Sequence, residues 1–87
     1  MEKLSEMPNI GKELEKRLNK VGIITPAQLK EAGSIKACQL LNAMRYDVCI
    51  NTLFALEGAI RNIRWHDLEN NIKDELLFYF KGLEKRR

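Results

Sequence analysis

The sequence predicts an all-α fold, arranged as one compact domain of five or six short helices over residues 1–87. Apolar residues recur at helical spacing, and no alternating apolar–polar segment is long enough to predict a strand. Proline, glycine and Ser/Thr residues divide the chain into lengths typical of short helices. The composition, 45% hydrophobic and 31% charged, is typical of a small globular domain with one modest core.

The N-terminal segment predicts a short helix followed by a longer one. The first helix, over residues 3–6, should end before Pro8, because a proline disfavours the helical conformation of the residue preceding it. A second helix is expected over residues 11–21, where leucine and valine recur at helical spacing. Gly22 then stands where a left-handed C-terminal cap is needed.

The third helix has the best-specified start in the chain. Thr25 can accept a hydrogen bond at the N-cap, Pro26 suits the first helical position, and Gln28 completes a capping box. Gly33 should end this helix, and Ser34 should cap a fourth one. The apolar side of the fourth helix comprises Ile35, Cys38, Leu41 and Met44, with Ala37 and Leu40 beside them.

Two longer helices are expected in the C-terminal half. Residues 50–63 are apolar on more than one side, which predicts a central helix packed by several neighbours. Gly58 is unfavourable inside a helix, and the close approach of another helix would offset that cost. The last helix should cover residues 71–85, with an inward stripe of Ile72, Leu76, Phe80 and Leu83.

Composition also bounds the function. No apolar run approaches the roughly 20 residues that span a bilayer, and the N-terminus lacks a signal-peptide core, so we expect a cytoplasmic protein without a membrane partner. Cys38 and Cys49 fit no metal motif, and the chain has one histidine, so neither a metal nor a cofactor is expected. We interpret both cysteines as reduced core thiols. The net charge of +3 permits contact with nucleic acid without predicting it.

The turn Pro-Asn-Ile-Gly at residues 8–11 is the main functional motif. In a helix-hairpin-helix, a turn of the type Pro-x-hydrophobic-Gly presents consecutive backbone N–H groups at a helix start, where they and the helix dipole favour an anion. Three lysines follow at intervals of four and form one stripe on that helix. Such an arrangement would hold DNA backbone phosphates without reading bases. The residues predicted to contact nucleic acid are Asn9, Ile10, Gly11, Lys12, Lys16 and Lys20.

The same turn also has a purely structural interpretation. Ile10 would fill the core, Gly11 would permit the turn, and the lysines would keep an amphipathic helix soluble. Glu13 dilutes the positive charge and can pair with Arg17 four residues later. Asn9 also replaces the small residue expected in strong phosphate-binding turns. The sequence leaves both interpretations open.

Other side chains that could carry chemistry favour structural roles. Glu57 lies on an apolar helix face, where it is either a tuned acid or a structural carboxylate bonded to Arg61, to the Trp65 indole or to backbone. Trp65 is expected to seal the end of the fifth helix against the last one. His66 has no nucleophile beside it in sequence and is expected at the surface or in a cap. We therefore predict no catalytic residues and no enzymatic activity.

Phe78 is an aromatic residue that falls outside the apolar stripe expected for the last helix. It projects about 160° away from the apolar side of the last helix. It must either pack against an earlier helix or remain exposed beside Leu77. In the second case, Leu77 and Phe78 would mark a surface for a protein partner or a homodimer.

Three segments, taken in order, carry a family resemblance: MPNIGKELEKRLNKVGIITPAQL, LFALEGAIRN and WHDL. Together they cover most of the chain, which resembles the C-terminal domain of TfoX-type competence regulators. The resemblance implies an all-helical domain with a helix-hairpin-helix-like N-terminal half, found in bacterial proteins linked to DNA uptake and its regulation. It implies no catalysis and no established set of ligand-binding residues. The N-terminal domain usual in those regulators does not precede these motifs, so we expect a stand-alone version.

Overall fold

A computed structural model of the protein describes residues 3–85, with side chains described for residues 3–82. Over these residues the chain forms α-helices and short 3-10 helices and contains no strand, which confirms the all-α prediction. The 3-10 helices are Leu4–Glu6 and Trp65–Asp67; the α-helices are α1 Lys12–Lys20, α2 Pro26–Ala32, α3 Ser34–Ala43, α4 Ile50–Arg61 and α5 Asn70–Lys85.

The predicted start of α2 and the predicted glycine stops after α1 and α2 are confirmed. The Thr25 hydroxyl accepts from the backbone N–H of Gln28 at 3.2 Å, and the Gln28 side chain accepts from the N–H of Thr25 at 3.2 Å. This reciprocal pair is the capping box predicted at the start of α2. Gly22 and Gly33 have φ of 91° and 88°, so both adopt the positive φ that glycine tolerates best.

Three predictions about α3 and its surroundings are wrong. Ser34 is the first residue of α3 rather than its cap, and its hydroxyl donates to Glu57 on α4 at 2.5 Å. Met44 was expected on the buried side but is 53% exposed, because α3 ends at Ala43 and the chain turns there. Cys49 was expected in the core but is exposed at the N-cap of α4, whereas Cys38 is a buried free thiol as predicted.

Helix α4 occupies the centre of the fold, as its all-round apolar pattern predicts. It packs against α2, α3, α5 and the 3-10 helix Trp65–Asp67. Its buried residues face several directions: Leu53, Phe54, Leu56, Gly58 and Ala59. The core that they share with the other helices includes Leu4, Ile10, Leu18, Leu29, Leu41, Leu76 and Phe80.

The N-terminal half differs in one respect from two full helices joined by a hairpin. The element before the turn is a single 3-10 helix, Leu4–Glu6, rather than an α-helix. The backbone N–H of Ser5 donates to the Glu15 side chain of α1 at 3.0 Å, which ties this short helix to the next one.

No helix in the described part of the chain is long and apolar enough to cross a membrane.

The C-terminal helix α5 packs on the core through one side. Leu76 and Phe80 are buried, and Ile72 is partly buried against the core, as predicted. Leu83, also predicted to face inward, lies outside the residues whose side chains are described.

Candidate nucleic-acid interface

The turn before α1 is closed by its own backbone and anchored by one side chain. The N–H of Ile10 donates to the carbonyl oxygen of Met7 at 3.5 Å, and Asn9 between them adopts φ of 70°. Ile10 is 5% exposed and belongs to the core, as its structural interpretation predicts. Its side chain therefore positions the turn and does not face a ligand in solvent.

Asn9 uses its side chain inside the fold. Its Nδ2 donates to the carbonyl oxygens of Ile63 at 2.9 Å and Ala55 at 3.4 Å, while its Oδ1 accepts from the N–H of Trp65 at 3.2 Å. These three bonds, called here the Asn9 clamp, join the turn to the middle of α4 and to the connector after that helix. Asparagine suits this position because it tolerates the left-handed conformation and both donates and accepts.

Gly58 provides the space for the Asn9 clamp. A Cβ built on Gly58 would lie 2.6 Å from Nδ2 of Asn9, 2.8 Å from the carbonyl oxygen of Ile63 and 3.2 Å from Cα of Trp65. The close approach that the sequence indicated is therefore real. The approaching groups belong to the turn at Asn9 and to the segment from Ile63 to the start of the 3-10 helix at Trp65, and not to another α-helix.

The start of α1 leaves main-chain donors exposed. Gly11 is the N-cap, with φ of −93° and ψ of −177°, and no side chain caps the helix. Among the hydrogen bonds of the described residues, the N–H groups of Gly11, Lys12 and Glu13 have no protein acceptor. All three residues are exposed. The first turn of α1 therefore has free donors and the positive end of the helix dipole on the same side.

The lysine stripe, defined as Lys12, Lys16 and Lys20, extends from these donors along α1. All three side chains belong to exposed residues, and none takes part in an ion pair within the described residues. The nearest carboxylates on α1 interact with groups other than these lysines. Glu13 approaches Arg17, with 3.4 Å between Oε1 and Nε, and Glu15 accepts from the N-terminal 3-10 helix.

An open groove of about 390 Å³ lies beside the turn, between α1, the segment after α3 and the start of α4. Arg17 lies over the ring of Tyr46, with 5.3 Å from its guanidinium carbon to the ring centroid. Sequence reasoning missed this groove because its lining comes from three separate segments. The lining comprises Gly11, Glu13, Leu14, Arg17, Leu41, Tyr46, Asp47, Val48, Cys49, Asn51, Thr52 and Ala55.

The two cysteines differ in acidity. A hydrogen bond from the Thr52 side chain lowers the pKa of the Cys49 thiol, which stands at the start of α4 on the groove. Burial raises the pKa of the Cys38 thiol to about 11. The exposed thiol is therefore the more reactive of the pair.

Glu57 has the structural role that the sequence favoured. Its Oε2 accepts from Nε of Arg61 at 2.6 Å, and its Oε1 accepts from the hydroxyl of Ser34. The indole of Trp65 is not a partner; the ring lies 6.3 Å from the ring of Phe54 and 3.9 Å from that of His66, centroid to centroid. His66 is exposed. These contacts join helices and connectors.

The second predicted surface lies on α5. Phe78 is 75% exposed, and its neighbours Leu77 and Tyr79 are 37% and 49% exposed. The rings of Phe78 and Tyr79 meet edge to face, with 5.9 Å between centroids. Of the two alternatives that the sequence left open, Phe78 takes the exposed one.

Comparison with known proteins identifies the family through one family model. The model of the TfoX C-terminal domain matches residues 1–79. An uncharacterised protein from Listeria monocytogenes, crystallised in a triclinic form, is 48% identical, with 94% of this chain and 93% of that chain covered and a TM-score of 0.92. A protein of unknown function from Listeria monocytogenes, in a tetragonal form, is 47% identical, with 91% and 98% covered and a TM-score of 0.87. No curated protein matches the chain. Because the family model spans most of its length, the chain belongs to the TfoX C-terminal domain family.

Proposed function

We propose that this protein is a non-enzymatic interaction module that contacts the backbone phosphates of DNA through the turn before α1, in a regulatory role connected with DNA uptake. The observation that supports this proposal most directly is the free N–H groups of Gly11 and Lys12, exposed at the head of the lysine stripe. Membership of the TfoX C-terminal domain family supports the regulatory part of the proposal.

The proposed contact combines two kinds of donor. The N–H groups at the start of α1 and the helix dipole would hold one phosphate, as helix N-termini commonly do. Lys16 and Lys20, one and two turns further along the same side, would neutralise neighbouring phosphates. Because these contacts reach only the backbone, binding is expected to be independent of sequence. The Asn9 clamp would keep the main chain of the turn in position.

Charge reversal along the stripe tests the electrostatic part of the proposal. Lys12→Glu with Lys16→Glu should weaken binding to a labelled duplex at low salt and reduce the slope of log affinity against log salt by about 1.8 in magnitude, at about 0.9 per phosphate contact. Lys30→Glu with Lys36→Glu, on exposed residues of α2 and α3, changes the net charge equally and is the matched control. Absence of binding by the wild type, or equal losses in the two double variants, would reject the proposal.

A proline substitution tests the main-chain part. Lys12 is the first residue of α1 and follows an extended Gly11, so proline fits there without disturbing the helix. Lys12→Pro removes the N–H and the charge, whereas Lys12→Ala removes only the charge. If the N–H holds a phosphate, the proline variant binds DNA more weakly than the alanine variant. Equal affinities would mean that the turn contributes no main-chain contact.

A second candidate function is protein binding through α5, without any nucleic acid. The observation that favours it is the 75% exposure of Phe78 on a helix whose other side is buried in the core. An apolar contact of this kind should depend little on salt, whereas phosphate contacts weaken steeply as salt rises. Phe78→Ser should therefore abolish this interaction and leave DNA binding unchanged.

A further inference from the structure

We infer that α5 pairs with α5 of a second copy of this chain, antiparallel, about a two-fold axis passing beside Phe78. The inference rests on the second candidate function, protein binding through α5, and names the partner. It does not depend on DNA binding by the turn.

Three exposed residues define the pairing surface, called here the α5 seam. Asp74, Phe78 and Lys81 are spaced by four and three residues, which places them on one side of the helix. All three are exposed, while the core-facing Leu76 and Phe80 lie on the opposite side. The seam therefore has an aromatic ring at its centre, an acid toward its N-terminal end and a base toward its C-terminal end.

The order of the charges selects an antiparallel arrangement of two copies. With Phe78 opposite Phe78 of the second copy, Asp74 comes beside Lys81 of that copy, and the two-fold axis repeats the pair on the other side. A parallel arrangement would instead place each charge beside its own equivalent, which is unfavourable. The same patch is thus complementary to itself, as a two-fold interface requires.

Gly82 adds an observation that this chain alone does not explain. It lies in α5 and is exposed, and a Cβ built on it would meet nothing within 4 Å. Glycine is unfavourable inside a helix, and here nothing within the described part of this chain requires it. In the antiparallel pair Gly82 faces the second copy near Glu75, so its missing side chain lets the two helices approach closely.

Sedimentation velocity over a concentration series at low salt measures the pairing. The wild type should associate as a dimer, and Phe78→Ser should remove association. Asp74→Lys or Lys81→Asp alone should each weaken the dimer roughly tenfold, because each reversal alters both symmetry-related ion pairs. The double variant with Asp74→Lys and Lys81→Asp restores opposite charges and should associate within about twofold of the wild type.

Controls separate the pairing from folding and from net charge. Lys30→Asp, an exposed lysine of α2, makes the same charge change as Lys81→Asp and should leave the dimer unaffected. Circular dichroism of every variant establishes that the monomer still folds. A wild type that remains monomeric at all concentrations, or a double variant as weak as the two single losses combined, would overturn the inference. A monomeric wild type would overturn the pairing alone, because DNA binding and the binding of a different protein are tested by separate experiments.

Discussion

Gly58→Ala is expected to destabilise the fold, although alanine is the better helix former. The added Cβ would lie 2.6 Å from Nδ2 of Asn9 and 2.8 Å from the carbonyl oxygen of Ile63. Neither group can move aside alone, because the amide is held by the Asn9 clamp and the carbonyl belongs to the backbone. The substitution must therefore displace the turn or the connector after α4.

The magnitude follows from the bonds that are lost. Three hydrogen bonds form the Asn9 clamp, each contributing about 1 kcal/mol to the free energy of unfolding. Alanine regains about 1 kcal/mol over glycine within a helix. The net loss is about 2 kcal/mol, which lowers Tm by roughly 8–16 °C in a domain of this size.

Urea unfolding, followed by circular dichroism and by the fluorescence of Trp65, measures this loss. Gly82→Ala, measured at a protein concentration where the chain is monomeric, is the matched control, because that helical glycine has open space around it within one copy and should gain up to about 1 kcal/mol. Asn9→Gly keeps the backbone conformation but removes the amide. A double variant with Asn9→Gly and Gly58→Ala should therefore lose less stability than the sum of the losses in the two single variants. Equal stability of Gly58→Ala and the wild type would refute the reasoning.

Two further predictions concern the helix starts at Thr25 and Cys49. Thr25→Ala should lower the free energy of unfolding by about 1 kcal/mol in thermal or urea unfolding, because the capping box is lost. Thr25→Ser keeps a hydroxyl at the N-cap and should retain most of that stability. An alkylating reagent should modify Cys49 well before Cys38 at neutral pH, since a lowered pKa gives more thiolate and burial raises that of Cys38 to about 11. Thr52→Val should shift the pH profile of Cys49 labelling upward, as followed by mass spectrometry; an unchanged profile would contradict this account.

The features predicted correctly from the sequence depend on residues close together in the chain. The capping box at Thr25 and the positive φ of Gly22 and Gly33 are set within a few residues, so their chemistry can be read directly. The central position of α4 follows from an apolar pattern contained in that helix alone.

Two features that sequence reasoning missed depend on distant residues. Ser34 was expected to cap α3, but its hydroxyl meets Glu57, which lies 23 positions later. Asn9 and Ile63 are separated by 54 positions, and no local pattern indicates that they meet. The free N–H groups of the candidate site could be predicted from the turn, whereas the inward direction of the Asn9 amide could not.

The Asn9 clamp links the stability of the fold to the candidate site. Position 9 must adopt a φ of 70° and also both donate to Ile63 and accept from Trp65. Glycine would satisfy the first condition alone, and an ionised aspartate could accept but not donate. Asparagine meets all of them, which explains why it replaces the small residue expected in a strong phosphate-binding turn. Because its amide is directed inward, the Asn9 clamp holds the turn through its buried side. The N–H groups of Gly11 and Lys12, which belong to exposed residues, stay without a protein acceptor.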